Sequence, residues 1–235
     1  MPRGRPAVLR RLLASSRAAV GDITFGMEDG AVSVSGLVFG VAASTGDSQV
    51  VILAGATGAV AGAVSMMAGR YLDVQSVGHR AEVSLEATRR RIALAPGPCL
   101  QRASQRLHRA GFDAEEAATV MAVFRRSPSA LLEHVAAYEM GLAVRAGTSP
   151  IFHALWMFAA DLLAASVPVL PFLFLPIDVA RVVSLVVTGA WMAVLGIARG
   201  RIGGVNIWWS AVETMAIAGA AALAGVAIGR LVTSG

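Results

Sequence analysis

Glu28 and Asp29 stand side by side near the start of an apolar run over residues 23–45. A carboxylate in that setting is a hard oxygen ligand for a divalent cation and also a proton acceptor. The plainer role for the pair is to sit at a membrane surface and favour a helix N-terminus. Down the face below Asp29 come Ser33, Gly36 and Gly40, small residues that let another helix approach closely. The next apolar run carries Gly55, Gly58, Gly62, Met66 and Arg70 at steps of three or four, which is one helical face. Met66 there is either core packing or a soft thioether ligand, better suited to late or borderline metals than to magnesium or calcium. Arg70, one turn on, brings a fixed positive charge to the mouth of the same face. At ~7 Å and an effective dielectric of ~20 it would repel a divalent ion by roughly 5 kcal/mol. A neutralising partner (Glu28, Asp29 or Glu139) would make it a latch; without one it snorkels to lipid headgroups.

His79, Glu82 and Glu86 recur at i, i+3 and i+7 and put an imidazole and two carboxylates on one helix face. They read as a metal site or, with Arg89 and Arg90 nearby, as a salt-bridged solvent face. Glu115-Glu116 opens a helix and suits its first turn. Glu139 borders an apolar face near Tyr138. Arg102, Arg106 and Arg109 form a basic strip too small for nucleic acid and suited to anionic headgroups or neighbouring carboxylates. His108, His134 and His153 are isolated. Asp161 and Glu213 lie within apolar runs, where a charge pairs with polar groups or acts as a proton site. Cys99 is the one cysteine, which excludes a disulfide framework and any Cys-only metal site. No phosphate-binding glycine loop, nucleophile elbow or zinc-protease helix occurs, so an enzyme is not expected.

These residues must be positioned in a bilayer. Of 235 residues 56% are hydrophobic and 15% charged, against roughly 45–50% and 25% in soluble domains. A spanning helix needs about 20 apolar residues, and five segments qualify: 23–45, 48–69, 149–175, 182–198 and 205–232. Residues 71–147 differ, with ten arginines and eight carboxylates. Pro96-Gly97-Pro98, Gly111-Phe112-Asp113 and the helix-start signal Ser127-Pro128 divide them into helices over 74–94, 98–110, 113–125 and 128–145. The expected fold is all-α and integral to the membrane, with five transmembrane helices and a cytoplasmic helical insert between spans 2 and 3. Its parts are a basic arm (1–21), spans 1 and 2 (22–72), the insert (73–147) and spans 3 to 5 (148–235).

All twenty basic residues are arginines, and alternating spans put eighteen of them on one side, with only Arg181 and Arg230 opposite. The positive-inside rule then places the N-terminus and residues 71–147 in the cytoplasm and the C-terminus outside. No stretch in residues 1–20 reads as a cleavable signal, so a prokaryotic plasma membrane is expected, with a vacuole-like compartment as the alternative.

Three motifs resemble one family. Glu28-Asp29-Gly30 followed by Val32-Ser33-Val34-Ser35-Gly36-Leu37-Val38 is similar to the first span of the vacuolar iron transporters, whose bacterial members usually read Asn-Asp-Gly there. Ala61-Gly62-Ala63-Val64-Ser65-Met66-Met67-Ala68-Gly69-Arg70-Tyr71 resembles the second-span motif, with Arg70 where the family usually has an acid. Glu139-Met140-Gly141-Leu142 resembles the motif closing the cytoplasmic helices, and the Pro168 region and residues 199–229 resemble later spans. The likeness covers residues 20–232. It implies a homodimeric carrier that moves Fe²⁺, and often Mn²⁺, out of the cytoplasm against protons, with no resident cofactor and no nucleic-acid partner. It further implies a path lined by Glu28, Asp29, Gly62, Met66 and Arg70, with metal held by Asp29, Met66 and Glu139, and with His79, Glu82 and Glu86 as possible further ligands. The insert's +2 balance departs from an acidic metal-collecting domain. A second reading follows from that departure: a non-transporting relative acting as a dimeric membrane scaffold or regulator.

Overall fold

The computed structural model describes residues 19–139 and 149–234, the side chain of Glu139 excepted. Among the described residues the chain forms eight helices: α1 (Val20–Ser44), α2 (Ser48–Leu94), α3 (Pro96–Arg109), α4 (Ala114–Arg126), α5 (Pro128–Glu139), α6 (Pro150–Phe174), α7 (Ile177–Gly203) and α8 (Ile207–Ser234). It divides into two compact units, cut at Leu72/Asp73 and at Thr148/Ser149.

The first unit is built around α1, which packs on α6, α7 and α8. Directions follow from the contacts. Asp22 meets His153 and Glu28 meets Thr214, so α6 and α8 run parallel to α1. Arg199 reaches Glu28 while Arg181 reaches the far end of α1, so α7 is antiparallel to it. A side chain on Gly58 would strike Leu37 and one on Gly55 would strike Val38, so α2 is antiparallel as well. Val38, Val51, Ala59, Ala165, Val169 and Phe172 fill the core between these helices. The α1–α8 crossing depends on glycine: a Cβ on Gly40 would lie 2.8 Å from the carbonyl oxygen of Gly225, and one on Gly36 3.1 Å from that of Ala221. Arg181 closes the other end of α1, donating to the carbonyls of Ala42 (2.9 Å) and Thr45 (2.8 Å), which the helix leaves unpaired.

Among the described residues three helices, α2, α7 and α8, are long and apolar enough to cross a membrane by length and composition. The other two helices of this unit carry acidic residues near the start (α1) or one buried acid and two internal prolines (α6).

Two expectations about boundaries are corrected. The second apolar run and the first insert helix are not separate elements: α2 continues unbroken through Gly69 to Leu94. A change from apolar to charged residues moves a helix out of lipid but does not stop it; Pro96 does. Likewise α7 exceeds residues 182–198 at both ends, because its stops are Pro176 and Gly204, the latter at φ +66°.

The second unit packs Ile92, Cys99, Ala103, Leu107, Met121, Leu131 and Val135 into a core of its own. Gly111 turns the chain between α3 and α4 at φ +97°, a conformation natural to glycine. Asp113 then caps α4 in a reciprocal capping box with Glu116. The expected last insert helix, 128–145, runs as α5 to Glu139, and its remainder, with Leu142, lies outside the described residues, as do residues 1–18 of the basic arm.

Candidate functional site

The first turns of α1 gather the polar groups of the first unit. Asp22 is buried there, and Arg70 on α2 sets its Nε 2.7 Å from Oδ1. On the other side His153 Nδ1, in the first turn of α6, lies 2.5 Å from Oδ2. Arg70 therefore has a carboxylate partner in Asp22, and not Glu28 or Asp29; the side chain of Glu139, the third expected partner, lies outside the described residues. The antiparallel register that sets Gly55 against Val38 carries Arg70 past those two acids to the first turn of α1. His153 is not isolated. Neither it nor Asp22 stands out in the sequence, where the one available signal is that each lies within a turn of a helix start.

Glu28 faces α7 and α8. Its Oε1 lies 3.5 Å from Arg199 Nε and 3.4 Å from the Thr214 hydroxyl, and Arg199 also pairs with Glu213 and donates to Ser210 Oγ at 3.1 Å. Glu213 is thus an exposed partner of Arg199, not a group sunk within the bundle. Trp208 and Trp209 stand exposed at this same end of α8.

Asp29 points elsewhere, since successive helix residues are turned by about 100°. It is half-buried and makes no hydrogen bond or ion pair among the described residues. Gly26 and Gly30, on either side of it in the chain, lie close to α6: a Cβ on Gly26 would stand 2.9 Å from the carbonyl of Met157, and Gly30 abuts Asp161. Asp161 is 1% exposed. The sequence suggested that it pairs with polar groups in the bundle, yet its Oδ1 has no hydrogen-bond partner among the described residues. Its Oδ2 faces Gly62 of α2, 3.9 Å from where a Cβ would be. Met66 follows one turn later on α2, half-buried. Such an arrangement, two carboxylates in an apolar surround with no cation of their own, attracts a cation.

In the second unit His79, Glu82 and Glu86 are exposed, and Glu86 is engaged by Arg89 and Arg90, each at 3.3 Å. No three His, Cys, Asp or Glu side chains among the described residues converge to hold a metal ion. Glu139 ends α5 with its side chain outside the described residues. His134 lies between the rings of Phe124 and Tyr138, with centroids 4.9 Å away on each side, and the Arg106 guanidinium sits 5.6 Å from the Tyr138 ring. These are packing roles.

A family profile described as VIT family matches residues 20–230. The chain is 30% identical over 216 residues to vacuolar iron transporter 2 of Oryza sativa subsp. japonica, covering 92% of this chain and 88% of that one. It is 30% identical over 207 residues to the vacuolar iron transporter of Centaurea cyanus, covering 86% and 84%. With vacuolar iron transporter 1 of Arabidopsis thaliana the identity is 27% over 214 residues, covering 91% and 86%.

Proposed function

The chain belongs to the VIT family, integral membrane transporters and not enzymes, and from that premise we propose that it carries a divalent metal ion, Fe²⁺ or Mn²⁺. The direction is out of the cytoplasm, in exchange for protons, and the working unit is a homodimer. The observation that carries this reading is the family match over residues 20–230, which takes in α1, α2, α6, α7 and α8 as far as residue 230, along with the insert. All five helices of the first unit cross the bilayer. Their alternating directions support this, as do the short links at 45–47, 175–176 and 204–206. The N-terminus and residues 71–147 lie in the cytoplasm and the C-terminus outside, on the strength of the arginine distribution.

The path runs along Asp29, Gly62 and Met66, with Glu28 and Arg70 near its cytoplasmic mouth. Metal is held by Asp29 and Met66 and received from Glu139, with His79, Glu82 and Glu86 as further collecting groups. Ferrous and manganous ions suit mixed oxygen and thioether donors, and Met66 supplies the softer of the two. A second reading, a non-transporting dimeric scaffold or regulator, is favoured by one observation: Arg70 and Asp22 hold each other in an ion pair at that mouth.

Purified protein in liposomes separates the two. Transport is expected for Fe²⁺ or Mn²⁺, faster into an acidic lumen than without a pH gradient. Absence of flux under both conditions would favour the scaffold, and flux indifferent to the gradient would contradict proton coupling.

A further inference from the structure

We infer that Asp161 is a second carboxylate ligand for the divalent cation, binding it together with Asp29 where α1, α2 and α6 meet through Gly30 and Gly62. The choice of ion rests on the transport reading above; the site itself rests on the geometry of these side chains.

Three observations carry it. First, Asp161 is almost wholly buried at 1% exposure, and its Oδ1 lacks a hydrogen-bond partner among the described residues. A carboxylate so placed is stable only with a proton or a cation on it. Second, the three arginines that reach into the first unit have partners elsewhere. Arg70 is bound to Asp22, Arg199 to Glu28 and Glu213, and Arg181 to carbonyls at the far end of α1. Third, a glycine of a neighbouring helix stands against each oxygen of the carboxylate. A Cβ on Gly30 would fall 2.8 Å from Oδ1, and a Cβ on Gly62 would find only Oδ2, at 3.9 Å. Gly62 shares its α2 face with Met66, and Asp29 directly precedes Gly30, which abuts Asp161.

Two like charges side by side are unfavourable until a divalent cation joins them, and the cation replaces its lost water with their oxygens. Asp161 thus adds a hard donor deep in the path, beyond the acid of the first span.

The test is Mn²⁺ binding to the purified full-length protein in detergent, read from the loss of the free-ion EPR signal. It compares wild type, Asp29→Asn, Asp161→Asn and Gly62→Ala. Asp161→Asn keeps the shape and is expected to raise the Kd about tenfold or more, because affinity follows ligand charge. Gly62→Ala leaves the carboxylate in place and covers Oδ2 with a methyl the space accepts; it is expected to raise the Kd several-fold. Should Asp161→Asn fail to fold, Gly62→Ala decides. A wild-type Kd in the folded variant would make Asp161 a protonated packing group and overturn the site, as would wild-type protein that binds no Mn²⁺. Binding that depends on Asp161 in a protein without flux would overturn the transport reading and leave the site standing.

Discussion

The Arg70–Asp22–His153 group at the first turn of α1 shows what a single charge demands in an apolar setting. Arg70 is about a quarter exposed and Asp22 a tenth, so each has lost much of its hydration and depends on the other. Asp22→Asn removes the carboxylate charge that faces the guanidinium at 2.7 Å and is expected to cost about 1–3 kcal/mol. Arg70→Gln should cost a similar amount, while the double variant should recover part of the loss. Thermal unfolding in detergent across the four proteins measures the coupling, expected at roughly 1–3 kcal/mol. Strict additivity would mean that the pair contributes nothing. The sequence revealed Arg70 as a charge in need of a partner but not which partner, because that depends on the register between two antiparallel helices. It singled out Asp29 and Met66 by residue type. It could not show that Glu28 turns toward Arg199 or that Asp161 is left without a hydrogen bond at Oδ1, since both depend on helices distant in the chain.

At the level of elements, glycine spacing carried most of the information. Gly36 and Gly40 were legible as a surface for close helix approach, and α8 docks there through Gly225 and Gly229. Gly40→Ala pushes a methyl toward the Gly225 carbonyl and is expected to destabilise by ~1–3 kcal/mol. Gly69→Ala meets nothing within 4 Å and is expected to be neutral or to stabilise α2 by up to about 1 kcal/mol through helix propensity. Melting curves of the two variants should move in opposite directions or differ by that margin; equal shifts would contradict the crossing. Helix existence was readable from apolar periodicity, whereas the joining of residues 48–94 into one helix was not. Hydropathy reports the solvent around a helix, whereas the ends of α2 and α7 are marked by Pro96 and by Gly204 at positive φ.

For the whole molecule the proposed topology rests on the arginine asymmetry and the alternating helix directions. On a Cys99→Ala background, a cysteine placed at exposed Gln105 should resist labelling from outside, and one at Gly46, between α1 and α2, should accept it. The reverse pattern would invert the topology. What could not be read from the sequence at this scale was the convergence of α1, α2 and α6 on one interior level, because helix order in space is set by packing and not by order in the chain. The central claim, that a metal ion crosses along Asp29, is tested most directly by Mn²⁺ flux into liposomes with an acidic lumen, comparing wild type with Asp29→Asn at matched insertion. A neutral amide keeps the shape but removes the ligand charge, so flux is expected to fall about tenfold or more; an Asp29→Asn rate equal to wild type would contradict it.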